Sequence, residues 1–132
     1  MPPIRCFIAL PTSVEVRDRI AEIQSKLNEA HADVKWDLRE KFHITLKFLE
    51  NTEGSVVASL SSQLEVLLQN VSSLKVTYNH VGGFPTVDRP RVIWIGAEPD
   101  ASLNKLQSDV ESLCERLGLK SEGRAFHPHI TL

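Results

Sequence analysis

No stretch of this chain approaches the eighteen or so consecutive apolar residues of a membrane-spanning helix, and no basic leader followed by an apolar run opens it. The expectation is a soluble protein with no membrane partner and the cytoplasm as its default address. Cysteine is scarce: Cys6 and Cys114 are the only two, and they lack Cys-x-x-Cys spacing. That argues for two reduced thiols rather than a disulfide framework. Neither sign of charge dominates, with 15 Lys and Arg against 17 Asp and Glu, a formal net charge of −2. Such a balance excludes a broad phosphate-tracking surface while leaving room for a local basic pocket. A Gly-rich phosphate loop, a heptad array and low-complexity segments are also missing. At 132 residues, 42% apolar and 24% charged, the composition suits one globular domain with a sizeable core.

What the chain does have is one tetrapeptide twice. His43-Ile44-Thr45-Leu46 and His129-Ile130-Thr131-Leu132 each lie in a run that opens with an aromatic residue, Phe42 and Phe126 respectively. In an extended strand, side chains alternate between faces, so each copy puts an imidazole and a hydroxyl on one face and two aliphatic groups on the other. Two such half-sites point to one site with two-fold character.

The flanks repeat as well. Ile4 to Leu10 reads as a strand, Pro11 breaks it, Thr12 and Glu15 have capping-box spacing, and Val16, Ile20, Ile23 and Leu27 form a helical stripe. Arg91 to Ala97 again reads as a strand. Pro99 and Asp100 then supply a stop and a cap, Leu103, Leu106, Val110, Leu113 and Leu117 form the stripe, and Gly118 ends the helix. Leu10 to His43 is 33 positions and Ala97 to His129 is 32. The reading is a single domain of two strand-helix-strand pseudo-repeats, about 1–50 and 88–132. Between them lie a third stripe (Val57, Leu60, Leu64, Leu67), a strand from Leu74 to Val81, and a Gly82-Gly83-Phe84-Pro85 loop. No counterpart of that helix and strand follows Leu132, so the expectation is a fragment of a longer natural protein, lacking C-terminal strands.

Two histidines facing one cleft supply acid and base together, because imidazole titrates closest to neutrality. Phosphodiester transfer needs both roles, one on the nucleophile and one on the departing oxygen. Thr45 and Thr131, in phase with the histidines, are placed to donate hydroxyl hydrogen bonds to non-bridging oxygens. The scheme requires no metal. His127 and His129 form a His-x-His pair with Glu122 upstream, but no third ligand stands at a familiar spacing.

With these residues in view, the chain resembles the two-histidine phosphoesterase superfamily, and most closely its RNA 2′,3′-cyclic phosphodiesterases, also called 2′-5′ RNA ligases. The likeness rests on the two His-x-Thr motifs, Arg5 to Pro11, Leu46-Lys47-Phe48-Leu49, Arg91 to Gly96, and Arg124. It implies a bilobal α+β fold with antiparallel sheets lining a central cleft and helices outside. It further implies hydrolysis of RNA or oligonucleotide ends carrying a 2′,3′-cyclic phosphate to a 2′-phosphate, with ATP-independent 2′-5′ joining as a related activity. On the family pattern His43 is the acid protonating the leaving 3′ oxygen and His129 the base activating water, with Thr45 and Thr131 holding the phosphate. Glu50 departs from the pattern, standing where members commonly carry Gly.

The remaining candidates are weaker. Arg124 is a charge-assisted phosphate contact or a solvated loop residue. Of the aromatics able to stack a base, Trp94 reads as core, Trp36 as a connection, and Phe84, in its Gly-Pro loop, as the better candidate. Lys41 and Lys47 flank the first motif and read as solubilising strand-end lysines; His31 and His80 read as solvated. No cofactor is expected, and the chain is expected to act as a monomer. The rival readings are a non-catalytic RNA-end binding module and a phosphodiesterase acting on another small 2′-5′ or cyclic phosphate.

Overall fold

A computed structural model describes residues 2–132. Its elements run β1 (Ile4–Pro11), α1 (Val14–Asn28), β2 (His43–Thr52), α2 (Gly54–Leu68), β3 (Tyr78–Phe84), β4 (Val92–Ala97), α3 (Ala101–Arg116) and β5 (His129–Thr131). The fold is α+β: β1 and β2 form a two-stranded sheet, and β3, β4 and β5 form an antiparallel sheet in that order. Two compact units divide the chain. One comprises the segments up to Ala9, Thr45–Val76 and Pro99–Phe126, and the other Leu10–Ile44, Thr77–Glu98 and His127–Leu132.

The first unit holds α2 and α3, whose sequence stripes become buried faces. Leu103, Leu106, Val110 and Leu113 of α3 are buried, as is Leu60 of α2. Asp100 caps α3 by accepting a hydrogen bond from the Leu103 amide at 2.9 Å. Gly118, at φ +82°, takes the left-handed turn just past its end. Both cysteines are free; burial, foremost, pushes the Cys114 thiol above its ordinary pKa.

Lys47 corrects the sequence reading. Its side chain is only 3% exposed, and its ammonium donates to Glu111 Oε1 at 2.8 Å and to the Lys120 carbonyl at 2.6 Å. It is a buried, paired charge, because its strand position faces the inside of this unit instead of a solvated strand end.

The second unit holds α1 and the three-stranded sheet. Here Ser13, not Thr12, caps α1, accepting from the Val16 amide at 3.3 Å. The Thr12 hydroxyl donates instead to the Phe42 carbonyl at 2.8 Å. The strand expected from Leu74 to Val81 is displaced: it begins at Tyr78 and continues through the glycines to Phe84, where Phe84 pairs with Val92. A register shift between Tyr78 and His80 leaves Asn79 as the extra residue of a β-bulge.

Tyr78, the only tyrosine, is half-buried, and burial raises its pKa to about 12 from the ordinary 10.0. The native state therefore holds the phenolic proton across this interval while the unfolded chain releases it, so stability falls as pH rises from 10 towards 12. A single tyrosine makes this directly readable. Phenolate absorbance of the native protein should develop about two pH units later than that of the urea-unfolded chain, and coincident titrations would refute the burial of Tyr78.

Candidate functional site

His43 opens β2, and the backbone before it is held in two ways. Phe42 is buried, and its carbonyl accepts the Thr12 hydroxyl. The second motif is anchored in the same manner: Pro128 is buried, and its carbonyl accepts the Ala97 amide at 2.9 Å. Both histidines therefore follow a pinned carbonyl, and both are half-buried. Both belong to the second compact unit, with Thr131. Thr45 falls in the first unit, two residues along β2 from His43.

The histidine of the second motif has a defined tautomer. His129 Nδ1 lies 2.6 Å from the His127 carbonyl, which can only accept, so Nδ1 carries the hydrogen. A neutral His129 then presents the lone pair of Nε2. His127 contributes its backbone to this arrangement, and its own ring stacks against His129 at 5.3 Å between centroids. The His127 pKa is lowered, chiefly by the partial desolvation that packed neighbours impose on an otherwise exposed residue and then by the neighbouring charges of His129 and His80.

Register makes the surroundings of His129 legible. On one face of the sheet three rungs follow one another: Phe84 with Val92; Gly82 with Trp94 and Thr131; His80 with Gly96 and His129. The opposite face carries Ile93, Ile95 and Ile130, the last two buried. Both glycines are needed. A Cβ on Gly82 would collide with the Trp94 ring, and one on Gly96 with the His80 ring. Trp94 thus lies over β3 and His80 over β4, meeting edge to face at 5.6 Å.

Sequence reasoning missed this cluster. Trp94 is half-buried on the histidine face, edge to face with His127 at 4.6 Å and with His129 at 5.8 Å, rather than in the core. His80, read as a solvated residue without a partner, is exposed, but its Nδ1 is held 2.7 Å from the side-chain oxygen of Asn79 in the bulge. The available signal was the alternation of Trp94 with Gly96, a large ring next to a bare position on the same face.

Arg124 belongs to the first unit. It is exposed, and its Nε donates to Glu122 Oε1 at 3.3 Å. The Glu122 carboxyl is held below its usual pKa, first by the Arg124 backbone amide and then by the Arg124 side chain. Within that unit Arg124 lines a concavity of about 880 Å³ together with Arg5, Phe7, Phe48 and Lys120. Among the described residues, no group of three His, Cys, Asp or Glu side chains is placed to hold a metal ion. No helix among them is long and apolar enough to cross a membrane.

Comparison with known proteins gives a consistent result. The family profile of the 2′-5′ RNA ligase superfamily matches residues 10–132. An RNA 2′,3′-cyclic phosphodiesterase of Aeropyrum pernix is 30% identical over 115 residues, 86% of this chain and 64% of the relative. The protein of the same name from Geobacillus stearothermophilus is 29% identical over 126 residues, 96% of this chain and 40% of the relative. The chain thus spans less than two thirds of the length of either. Among solved structures, Escherichia coli LigT in its apo form superposes with a TM-score of 0.77 at 29% identity, covering 100% of this chain and 72% of LigT.

Proposed function

The chain belongs to the 2′-5′ RNA ligase superfamily, and on that footing we propose that it hydrolyses the 2′,3′-cyclic phosphate end of an RNA or oligonucleotide to a 2′-phosphate. ATP-independent 2′-5′ joining, the same displacement with a 5′-hydroxyl attacking in place of water and the 3′ oxygen again departing, is the related activity. The names of the relatives from Aeropyrum pernix and Geobacillus stearothermophilus support the substrate class.

His129 acts as the base. Its Nδ1–H, committed to the His127 carbonyl, leaves Nε2 to take the proton of the attacking water, and this tautomer is the observation that carries the reading. His43 acts as the acid, protonating the 3′ oxygen as its bond to phosphorus breaks. Thr45 and Thr131 steady the non-bridging oxygens. Arg124 contributes only by exchanging Glu122 for a phosphate. The scheme uses no metal ion and no cofactor, and a monomer suffices for it.

The test is turnover of a nucleoside 2′,3′-cyclic phosphate with the product identified, run in excess chelator. The expected product is the 2′-phosphate, formed at a rate the chelator leaves unchanged, with a bell-shaped pH dependence near neutrality because one imidazole must be charged and the other neutral. A 3′-phosphate product, or loss of activity in chelator, would contradict the proposal. Binding without conversion would favour an RNA-end binding module.

A further inference from the structure

Two imidazoles on one face of the three-stranded sheet are held in the same way. His129 carries its hydrogen on Nδ1 because the His127 carbonyl, 2.6 Å away, can only accept. His80 meets the same constraint. Its Nδ1 lies 2.7 Å from the side-chain oxygen of Asn79, which also can only accept, so Nδ1 carries the hydrogen and Nε2 presents a lone pair. Asn79 is the extra residue of the bulge, placed beside His80 by the register shift. Proton transfer at the phosphorus uses the Nε2 lone pair of His129 and leaves that of His80 without a task.

Register brings these two rings near one another. His80 on β3 and His129 on β5 flank Gly96 of β4 on a single rung. The Ala97 amide donates to the Pro128 carbonyl and the Leu132 amide to the Ile93 carbonyl, so Gly96 and His129 form a non-hydrogen-bonded pair, the kind whose side chains approach most closely. The Nε2 and Cε1 edge of the His80 ring occupies the space that a Gly96 Cβ would fill. His80 thus reaches across β4 and sets its Nε2 edge about one cross-strand Cβ separation, roughly 5 Å, from the Cβ of His129. Trp94 meets both rings edge to face, His80 at 5.6 Å and His129 at 5.8 Å, and fixes their tilt.

Water and an alcohol differ in what they can give to such a pair, since water has two hydrogens and a hydroxyl nucleophile has one. We propose that His80 is a positioning residue for the nucleophile, accepting the second hydrogen of the attacking water at Nε2, and that it biases the site towards hydrolysis over joining to a 5′-hydroxyl. This rests on the reading of His129 as the base. The water oxygen bonds to phosphorus, one of its hydrogens passes to His129 Nε2, and the other, held by His80, stays on the new phosphate oxygen. The bond from phosphorus to the 3′ oxygen breaks, and that oxygen takes its proton from His43. A 5′-hydroxyl gives its single hydrogen to His129 and has none for His80, so its attack gains no orientation from the second imidazole.

The test is the partition of a nucleoside 2′,3′-cyclic phosphate between water and methanol, read as the ratio of 2′-phosphate methyl ester to free 2′-phosphate formed in one aqueous methanol mixture. A ratio taken within one reaction does not depend on how much of a variant is folded. His80→Phe keeps a ring against Trp94 and removes the acceptor, whereas Asn79→Ala keeps the imidazole and frees its tautomer. Relative to the unmodified protein, His80→Phe should raise the ester-to-phosphate ratio by about three- to ten-fold, the worth of one neutral hydrogen bond, and Asn79→Ala should raise it by less. A ratio that either variant leaves unchanged while turnover continues would overturn the role of His80 and leave hydrolysis by His129 in place. An unmodified protein that converts no cyclic phosphate would overturn both.

Discussion

His129→Ala and His43→Ala should each lower kcat on a nucleoside 2′,3′-cyclic phosphate by about two to four orders of magnitude, the ordinary worth of one positioned proton transfer. Affinity for the 2′-monophosphate product should change only modestly, since the threonine hydroxyls remain. The double variant should be little worse than the poorer single, because groups that act on the same transition state do not contribute additively. The two variants are also expected to differ in their pH profiles. A base must be unprotonated, so His129→Ala removes the fall in rate towards acid pH; an acid must be protonated, so His43→Ala removes the fall towards alkaline pH. An exchange of these limbs would reverse the two roles. Loss of both limbs in one variant and neither in the other would contradict a shared mechanism.

The second large effect concerns stability. Lys47→Met should destabilise the protein by about 3–5 kcal/mol in urea unfolding, the cost of removing one partner from a buried ion pair. The reason lies in what stays behind. Glu111, 17% exposed, loses the ammonium 2.8 Å from its Oε1, and its Oε2 is already buried without a hydrogen-bond partner among the described residues. The Lys120 carbonyl loses its donor as well. Pairing the change with Glu111→Leu should recover much of the loss, because two apolar groups need no partner. A single-variant cost below about 1 kcal/mol would mean that water reaches the pair, as at a surface salt bridge.

Sequence and structure agree where the signal is local. The Asp100 cap, the α3 stripe and the left-handed Gly118 each depend on residues within a turn or two of one another. Agreement fails where a partner comes from far along the chain. Lys47 finds Glu111 at a separation of 64 residues, and nothing in the Lys-Phe-Leu segment announces it. Thr12 and Ser13 competed for the cap of α1 on equal chemistry. The Phe42 carbonyl, 30 residues away, took the threonine and left the serine to the helix.

The displaced β3 follows the same logic. In sequence the Gly82-Gly83-Phe84-Pro85 run reads as a loop, since glycine ordinarily weakens a strand. Gly82 is instead bare to admit the Trp94 ring, and Gly96 to admit that of His80. Pattern alone shows the small residue, while the ring that needs the space is known only once the register is known. The candidate histidines were legible because the motif is doubled. The aromatic face around His129 was not, since its members come from β3, from β4 and from the segment leading into β5.

The central claim is that the imidazoles of His43 and His129 serve one phosphate. Titrating the protein with a nucleoside 2′-monophosphate while following both imidazole ring signals by NMR tests it most directly. Both rings should shift together, along curves that share one dissociation constant. A single responsive ring, or two rings responding with separate affinities, would contradict the account.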